Sequence, residues 1–242
     1  MLLKLVHKRI LLKLSGEYLG GKGERGIDAE VVRRVAMDIR DVHLLGCQIA
    51  IVVGGGNFWR GREHNEVEKT RSDHMGMLGT VLNALAVADA LEKLDIPVRV
   101  QTAIPMQTIA EPYIRARAIR HLEKGRVVVL ACGTGNTRFS TDTAAALRCA
   151  EIGAEIIFKA TKVDGVYNKD PQKYPDAVKY DKMTFTQYLD QKLEVMDSTA
   201  AIMCRDNEPP IPLLVFSLGE QGNIARAVQG EMVGTYVSEP QK

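Results

Sequence analysis

The fold is decided by one stretch of sequence, Ile49-Ala50-Ile51-Val52-Val53-Gly54-Gly55-Gly56-Asn57-Phe58-Trp59-Arg60-Gly61. Its first five residues are apolar and mostly β-branched, which predicts a strand buried on both faces of a sheet. The three glycines that follow allow main-chain N–H groups to converge on an anion, and Arg60 adds a planar cation nearby. We therefore expect a phosphate-binding loop after this strand. The alternative is a tight strand-to-helix turn with Arg60 as a solvated surface charge.

Length and composition indicate an ordered α/β protein. The chain has 242 residues, of which 45% are hydrophobic, enough to bury a substantial core as one domain over residues 1–242. Its 32 basic and 30 acidic residues are interspersed, so no tail for nucleic acid is indicated. Cys47, Cys132, Cys149 and Cys204 lack metal-ligand or redox spacing and are expected to be reduced core thiols. No apolar run reaches membrane-spanning length, so we expect a cytoplasmic protein without a membrane partner.

Predicted strands and helices alternate along nearly the whole chain. This alternation predicts a mostly parallel sheet with helices on both of its faces. The predicted strands cover residues 10–14, 49–53, 98–102, 127–131, 155–160, 211–216 and 232–237, the last of which is expected to close the sheet. Helices are expected to begin near Asp28, Met75, Pro112, Thr141, Thr186 and Ile224.

The longest predicted helix ends before Pro97, and we expect its methionines to lie in the core. Gly76 and Gly79 fall in its first turns, where each glycine costs about 1 kcal/mol relative to alanine. Close approach of a ligand would explain them. The apolar residues that mark this helix are Met75, Leu78, Leu82, Leu85, Leu91 and Leu94.

Four predicted strands are followed by glycine, hydroxyl and charged residues. Ligands of open parallel sheets bind at the carboxyl ends of the strands, so we expect the loops after Leu14, Val53, Ala131 and Ala160 to lie together. Lys13 lies near the end of an apolar strand and is expected to meet an anionic group, because burial of an unpaired ammonium is very costly. The alternative is an edge-strand lysine that faces water. The residues at these strand ends suit phosphate chemistry and include no metal cage or nucleophile triad.

Two common nucleotide-binding motifs are incomplete in this chain. Gly16, Gly21 and Lys22 have the spacing of a Walker A loop, but Gly23 replaces the hydroxyl residue that would reach magnesium. The Gly-x-Gly that begins at Gly133 resembles a dinucleotide-binding motif, but its third glycine is missing. We assign neither motif.

Five ordered blocks, spread from about Lys8 to Val237, together resemble the amino-acid kinase superfamily, and most closely its bacterial uridylate (UMP) kinases. The blocks are Lys13-Leu14-Ser15-Gly16-Glu17, Gly54-Gly55-Gly56-Asn57 with Arg60-Gly61, Asp73-His74-Met75-Gly76-Met77, Gly133-Thr134-Gly135-Asn136 with Ser140-Thr141-Asp142, and Lys159-Ala160-Thr161-Lys162-Val163-Asp164-Gly165-Val166-Tyr167.

The resemblance implies an α/β, three-layer αβα sandwich with a central, mostly parallel sheet. It further implies transfer of the γ-phosphoryl of ATP to UMP in pyrimidine biosynthesis, with Mg2+ as cofactor, in a homohexamer whose acceptor site is mainly N-terminal and whose ATP site is mainly C-terminal. The Mg2+ ligands are not assigned. GTP and UTP are implied effectors, at a site that would include Gly21, Lys22, Gly23, Glu24, Arg25 and Gly26, and a flexible surface hairpin is an equal alternative for that loop.

Roles in the site also follow from the resemblance, position by position. Asp142 is expected to orient Lys13 and not to accept a proton, because a nucleotide phosphate acceptor is already ionised. The family usually has proline and then an aromatic residue where this chain has Thr137-Arg138. The implied catalytic residues are Lys13, Arg60, Asp142 and Lys159. Those for ATP are Lys13, Leu14, Ser15, Gly16, Gly56, Arg60, Thr161, Tyr167 and Asp170, and those for UMP are Gly55, Asp73, Thr134, Gly135, Asn136, Thr137, Arg138, Phe139, Ser140 and Thr141.

Two other functions are open on the same residues. One is another phosphotransferase of the superfamily, acting on carbamate, acetylglutamate or isopentenyl phosphate. The other is a non-catalytic, nucleotide-binding regulatory module. The block at Asp73 favours a nucleotide acceptor over the first, and the presence of Lys13, Asp142 and Lys159 argues against the second.

Overall fold

A computed structural model describes residues 5–23 and 25–240 of the chain. The strands in these residues are β1 (Arg9–Leu14), β2 (Gln48–Val53), β3 (Val98–Thr102), β4 (Glu111–Pro112), β5 (Val127–Ala131), β6 (Ile156–Thr161), β7 (Val166–Tyr167), β8 (Lys179–Tyr180), β9 (Lys182–Met183), β10 (Leu213–Ser217) and β11 (Gly234–Val237). The helices are α1 (Gly16–Leu19), α2 (Ala29–Leu44), α3 (Lys69–Glu92), α4 (Arg115–Glu123), α5 (Thr141–Ile152), α6 (Phe185–Asp190), α7 (Ser198–Asp206) and α8 (Asn223–Val228), with short 3-10 turns at Gly21–Gly23 and Gly61–Glu63.

Nine of the strands within the described residues form one central sheet in the order β4-β3-β5-β2-β1-β6-β10-β11-β9. All neighbours from β4 to β10 are parallel, so the carboxyl ends of these strands meet at one edge. The predicted meeting of the four loops is confirmed. β11 is antiparallel to β10, and β9 lies beyond it, so the expectation that the last strand closes the sheet is wrong.

The sheet is covered by helices on both faces, which confirms the three-layer αβα class. α2, α3 and α8 pack on one face, and α4, α5, α6 and α7 pack on the other. Side chains of β1 alternate between these layers: Ile10, Leu12 and Leu14 face α2 and α3, whereas Leu11 faces the α5 side. Burial on both faces explains why the strands are continuous apolar runs.

Helix ends follow the capping chemistry of the sequence. Asp28 accepts hydrogen bonds from the backbone N–H groups of Glu30 and Val31 and so begins α2. α5 ends at Gly153, whose φ of +65° lies in the left-handed region. The four cysteines are buried and free, as expected.

The prediction for α3 identifies the helix and the burial of Leu91, but it is wrong about the start, which is Lys69 and not near Met75, and about most of the buried face. Met77 and Val81 are buried, whereas Met75 is 39% exposed and Leu78 and Leu82 are about half exposed. The helix carries apolar residues on both sides, so its periodicity does not identify the core face. By length and composition α3 could cross a membrane, but half of the relevant window is buried inside the protein, as expected for a core helix.

Candidate active site

Two lysines stand side by side on the central strands. The parallel pairing of β1 with β6 places Lys13 opposite Lys159, and these residues are only 9% and 4% exposed. Asp142, in the first turn of α5, lies between them. Its carboxylate is 2.8 Å from the Lys13 Nζ and 2.6 Å from the Lys159 Nζ. Lys13 is therefore on a central strand and paired with an anion, as its functional interpretation required.

The charges of this cluster fix its protonation. Burial acts to raise the pKa of Asp142, but the two lysines outweigh burial and hold that pKa far below its ordinary value. Burial and the neighbouring Lys13 lower the pKa of Lys159 to about 8, against the opposing effect of Asp142. Two ammonium groups around one carboxylate leave one net positive charge at the carboxyl edge of the sheet, which attracts an anion.

The position of Asp142 depends on a second carboxylate that the sequence did not indicate. Ser140 caps α5 by accepting hydrogen bonds from the N–H groups of Asp142 and Thr143. Asp197, the N-cap of α7, accepts hydrogen bonds from the hydroxyls of Ser140 and Thr143, the latter at 3.0 Å. Asp197 therefore joins the start of α5 to the start of α7 and supports the turn that carries Asp142.

The glycine loop after β2 is packed so closely against its neighbours that no space is left for a side chain at Gly16 or Gly55. A Cβ on Gly16 would lie 2.6 to 2.8 Å from atoms of Asn57, Gly54 and Gly56, and a Cβ on Gly55 would lie 2.4 Å from the Gly76 carbonyl oxygen. These glycines are required because three backbone segments approach closely here.

The two glycines in the first turns of α3, Gly76 and Gly79, have different surroundings, so their presence has different explanations. A Cβ on Gly79 would meet the Gly55 oxygen and the Phe58 Cβ at 3.1 Å, so Gly79 serves backbone packing and not, as expected, a ligand. A Cβ on Gly76 would meet no atom within 4 Å, and Gly76 lines a cavity. Close approach of a ligand is therefore compatible with Gly76 alone.

A buried amide pair fixes the glycine loop to α3 and to the loop before α2. Asn57 and Asn83 exchange side-chain hydrogen bonds of 2.9 and 2.7 Å, and Asn83 also donates to the Gly54 carbonyl oxygen at 2.6 Å. The backbone of Asn57 accepts from the Gly26 N–H at 2.9 Å, and its side chain donates to the Gly26 oxygen. One end of the predicted effector loop is thus bonded to the glycine loop. Glu24 of that loop lies outside the described residues.

A cavity of about 470 Å³ opens between the glycine loop, α3 and the start of α5. Its volume falls in the range of small-molecule sites. It brings together residues predicted for both substrates, including Arg60 and Gly56 from the ATP set. The predicted residues that do not line it are Lys13, Leu14, Ser15, Gly16, Gly135, Asn136, Thr137, Arg138, Asp142, Lys159, Thr161, Tyr167 and Asp170. The lining residues are Glu17, Gly55, Gly56, Trp59, Arg60, Gly61, Arg62, Lys69, Ser72, Asp73, Gly76, Met77, Thr80, Gly133, Thr134, Phe139, Ser140 and Thr141.

Asp73 is held in this cavity as a charged acceptor. Its carboxylate lies 3.0 Å from the Lys69 Nζ and accepts a hydrogen bond of 2.8 Å from the Arg138 backbone N–H. Burial opposes ionisation, but these partners together lower the pKa of Asp73. Arg138 has a φ of +73°, which is uncommon outside glycine, and its side chain is exposed. Arg138 thus acts on Asp73 through its backbone N–H, and its positive charge also lowers the pKa of Asp73.

Arg60 also lines the cavity. Its Nε donates to the Gly56 carbonyl oxygen at 3.1 Å and lies 3.2 Å from a Glu17 carboxylate oxygen. Glu63 also contacts its guanidinium, at 3.1 Å. These contacts hold the fork of Arg60 beside the glycine loop, where it can reach an anion in the cavity.

The remaining residues of the predicted ATP set lie at the end of β6 and beyond it, and at the end of β1. Thr161 ends this strand and hydrogen-bonds the backbone of Val163. The Tyr167 hydroxyl donates to Asp164 at 2.7 Å, and Asp170 is exposed in the loop that follows β7. Leu14 is fully buried, and the Ser15 side chain makes no cap hydrogen bond at the start of α1. The predicted donor residues therefore follow three neighbouring strands, β2, β1 and β6, of which the last two carry the lysine pair.

Comparison with known proteins gives one family. The model of the amino acid kinase family matches residues 8–217. UMP kinase from Bacillus anthracis is 34% identical, with a TM-score of 0.92 over 96% of each chain. UMP kinase from Ureaplasma parvum is 34% identical, with a TM-score of 0.89 over 96% of this chain and 99% of its own. Uridylate kinase from Archaeoglobus fulgidus is 30% identical, with a TM-score of 0.70 over 94% of this chain and 99% of its own.

Proposed function

The chain belongs to the amino acid kinase family, and from that premise we propose that it is a UMP kinase, which transfers the γ-phosphoryl of ATP to UMP and gives UDP and ADP. The observation that carries the proposal is the pair Lys13 and Lys159, held 2.8 and 2.6 Å from the Asp142 carboxylate, which follows the cavity-lining Thr141 in the chain. We further propose that residues 1–242 act as one kinase domain, with the acceptor bound mainly by the N-terminal part and ATP mainly by the C-terminal part.

The lysine pair supports phosphoryl transfer by charge neutralisation. A phosphate oxygen of UMP forms the new bond to the γ-phosphorus, and the bond from that phosphorus to the oxygen bridging to the β-phosphate breaks, so that ADP leaves. The acceptor oxygen carries no proton at neutral pH, and no general base is needed. Lys13 and Lys159 stabilise the charge that the γ-phosphoryl and the leaving oxygen carry, and Asp142 keeps both ammonium groups in place.

Magnesium fits this arrangement as an ion held chiefly by the ATP phosphates. The described residues contain no group of three or more His, Cys, Asp or Glu that could hold a metal by themselves. Mg2+ commonly binds through substrate phosphates with one or two carboxylates. Bound with ATP, it would neutralise part of the charge of the donor phosphates.

The cavity suits a nucleoside monophosphate. Arg60, which the resemblance assigns to ATP, is proposed to offer its cation to the acceptor phosphate as well, together with N–H groups of the glycine loop, and the ionised Asp73 can accept hydrogen bonds from sugar hydroxyls. Thr134, Phe139, Ser140 and Thr141 line the same cavity. A carbamate acceptor would leave most of these polar groups without partners, and such mismatches lower binding strongly.

Self-association is supported by the exposed face of α3. Met75, Leu78, Leu82 and Leu85 follow one another at helical spacing, and each is more than a third exposed. An apolar stripe of this kind indicates a protein interface. We propose a cytoplasmic homohexamer in which this stripe is covered by another copy of the chain.

Regulation by GTP and UTP is proposed for the loop from Gly21 to Gly26. The bonds between Gly26 and Asn57 give a physical route from that loop to the glycine loop. The proposal fails if neither nucleotide changes the rate at subsaturating UMP.

The substrate assignment is tested by measuring ATP consumption with UMP, CMP, AMP, carbamate, acetylglutamate and isopentenyl phosphate. We expect UMP to give a kcat/KM at least about a hundredfold above the others, because a site built for hydrogen bonding rejects ligands that leave it unpaired. Lys13→Ala should lower kcat by about a hundredfold or more, the scale seen when one preorganised stabiliser is removed. Comparable kcat/KM for CMP, or turnover of a non-nucleotide acceptor alone, would contradict the assignment.

A further inference from the structure

The hairpin formed by β7 and β8 is attached to the central sheet through a buried hydroxyl, that of Thr235 in β11. Thr235 is 0% exposed. Its Oγ1 accepts a hydrogen bond of 2.8 Å from the Val166 N–H and donates one to the Tyr180 carbonyl oxygen. Val166 and Tyr180 are register partners in the hairpin, so one side chain bonds both of its strands at the same level.

Gly165 makes this attachment possible. A Cβ at this position would lie 2.6 Å from the Thr235 Oγ1 and 2.8 Å from the Lys179 Cδ. Turn geometry alone does not require a glycine here, because its φ is not in the left-handed region. The missing side chain lets the hairpin approach the sheet closely enough for the hydroxyl to reach it.

Thr235 stands in register with the two lysines of the site. It pairs with Val215 across β11 and β10, Val215 pairs with Lys159, and Lys159 pairs with Lys13. Neighbouring strands lie about 4.8 Å apart, so Thr235 is about 10 Å from the Lys159 backbone along a rigid sheet. The hydroxyl thus fixes the hairpin at a set distance from the lysines.

The hairpin carries the outer part of the predicted ATP set. Tyr167 follows Val166 in β7, and Asp170 lies in the connection between the two strands. Within the hairpin, Asp164 accepts a hydrogen bond from the Tyr167 hydroxyl and pairs with Lys179 at 3.0 Å. These contacts stiffen the hairpin, but they do not join it to the sheet.

We propose that Thr235 is a positioning residue for the phosphoryl donor, which holds the β7–β8 hairpin so that Tyr167 and Asp170 meet ATP while its γ-phosphate lies at the lysine pair. The proposal rests on the proposed function for the identity of the donor. It assigns to Thr235 no contact with either substrate. Loss of the hydroxyl should therefore weaken ATP binding and leave UMP binding unchanged.

The test compares three substitutions at two buried threonines. Thr235→Val keeps the shape but leaves the Val166 N–H and the Tyr180 oxygen without their partner, and Thr235→Ser restores a hydroxyl. The matched control is Thr102→Val, because Thr102 is 1% exposed and its hydroxyl has no hydrogen-bond partner within the described residues. The measurements are KM for each substrate at saturation of the other, direct ATP binding by calorimetry, and amide hydrogen exchange over residues 164–181.

We expect Thr235→Val to raise KM and Kd for ATP about tenfold. This is the scale expected when a buried hydrogen bond is lost and its partners, here the Val166 N–H and the Tyr180 oxygen, stay unsatisfied. KM for UMP should stay within about twofold, and exchange should accelerate in the hairpin while β1 and β2 stay protected. Thr235→Ser and Thr102→Val should behave like the wild type. Unchanged ATP affinity, unchanged exchange of the hairpin, or an equal rise in both KM values would overturn the proposal.

A second variant covers the case in which Thr235→Val does not fold. Gly165→Ala places a methyl group against the Thr235 hydroxyl and should give the same selective loss of ATP affinity, whereas wild-type affinity would overturn the proposal. Failure of the proposed function has a different signature. If the wild type binds ATP but does not phosphorylate UMP, the acceptor assignment is wrong, and calorimetry and exchange still decide the role of Thr235.

Discussion

Asp142→Asn is the substitution that tests the lysine cluster most directly. Asparagine keeps the size of the side chain and removes the negative charge that now lies 2.8 Å from the Lys13 Nζ and 2.6 Å from the Lys159 Nζ. If the cluster works by holding two ammonium groups at the transferred phosphoryl, the main consequence is loss of a proton from a lysine. If Asp142 were a general base, the main consequence would be that the variant could no longer remove a proton from the acceptor.

The magnitude follows from the geometry. At an effective dielectric constant of about 20, each of these contacts corresponds to about 6 kcal/mol of Coulomb attraction, most of which offsets the cost of burial. Removing one member of such a cluster leaves unpaired buried charge and typically costs about 3 to 5 kcal/mol of folding free energy. Part of that cost is relieved if Lys159 gives up its proton, because its pKa is already lowered to about 8 and loses the opposing effect of Asp142.

The sign of each pH effect is then fixed. Wild-type kcat/KM for ATP should fall as pH rises through about 8, because the free enzyme then loses the Lys159 proton. In the variant, this alkaline limb should move down by at least about one pH unit, so that activity is lost at pH 7 and partly returns near pH 6.

Stability carries a related pH dependence. The folded pKa of Lys159 lies below its ordinary value of 10.5, so folding stability from this group should increase between about pH 8 and 10.5. The depressed pKa of Asp142 gives a contribution that is present above its ordinary value of 3.8 and is lost as pH falls below it. The variant should lack the second contribution.

The assay is kcat/KM for ATP between about pH 6 and about pH 9, together with thermal unfolding of the same samples. Asp41→Asn is the control, because Asp41 pairs with Arg40 at 2.9 Å on the surface of α2, where such a pair contributes at most about 1 kcal/mol. A loss of activity that is constant across pH, with the alkaline limb unmoved, would refute the reasoning. So would disappearance of an acidic limb, which would identify Asp142 as a base.

Three further predictions concern the buried amide pair, the two glycines of α3 and the exposed apolar stripe of the same helix. Asn83→Leu should lower the free energy of unfolding by about 3 kcal/mol in denaturant titrations, because it leaves Asn57 and a backbone oxygen unpaired; a change below about 1 kcal/mol would contradict it. Gly79→Ala should lower the Tm, because its Cβ would meet the Gly55 oxygen at 3.1 Å, whereas Gly76→Ala should raise the Tm, because alanine is favoured over glycine in a helix, and should also raise KM for UMP, because Gly76 opens into the cavity; equal effects of the two substitutions would show the distinction to be wrong. Leu82→Glu should reduce the molar mass in light scattering if α3 forms an interface, and an unchanged mass would place the interface elsewhere.

The strands and the edge at which they end together could be predicted because each strand is marked by residues that are consecutive in the sequence. A parallel strand buried on both faces is a run of apolar residues, and β1, β2, β5 and β6 are such runs. The lysine pair follows from the same local pattern, because a charged residue in each of two buried strands is conspicuous.

The supporting residues could not be predicted because their partners are distant in sequence. Asn83 and Thr235 each lie inside a regular element, and their hydrogen bonds join residues 26 and 69 positions away. Polar residues at such positions usually face solvent, so sequence alone gave no reason to single them out. The β7–β8 hairpin was missed for a related reason, since its two-residue strands lie among turn residues.

The chemistry of the site depends on the same alternation that builds the core. Ile10, Leu12 and Leu14 face the α2 and α3 layer, so Lys13 must face the α5 layer, where Asp142 is. A shift of β1 by one residue would put three apolar side chains on the wrong face and would turn the lysine away from its carboxylate. Both layers are apolar, so the shifted side chains would stay buried but would no longer fit their neighbours. The larger cost is that the Lys13 ammonium would enter the α2 and α3 layer without a carboxylate, and burial of an unpaired ammonium is very costly. Core packing and the ion pair to Asp142 therefore favour the same register, and together they set the position of the ammonium group.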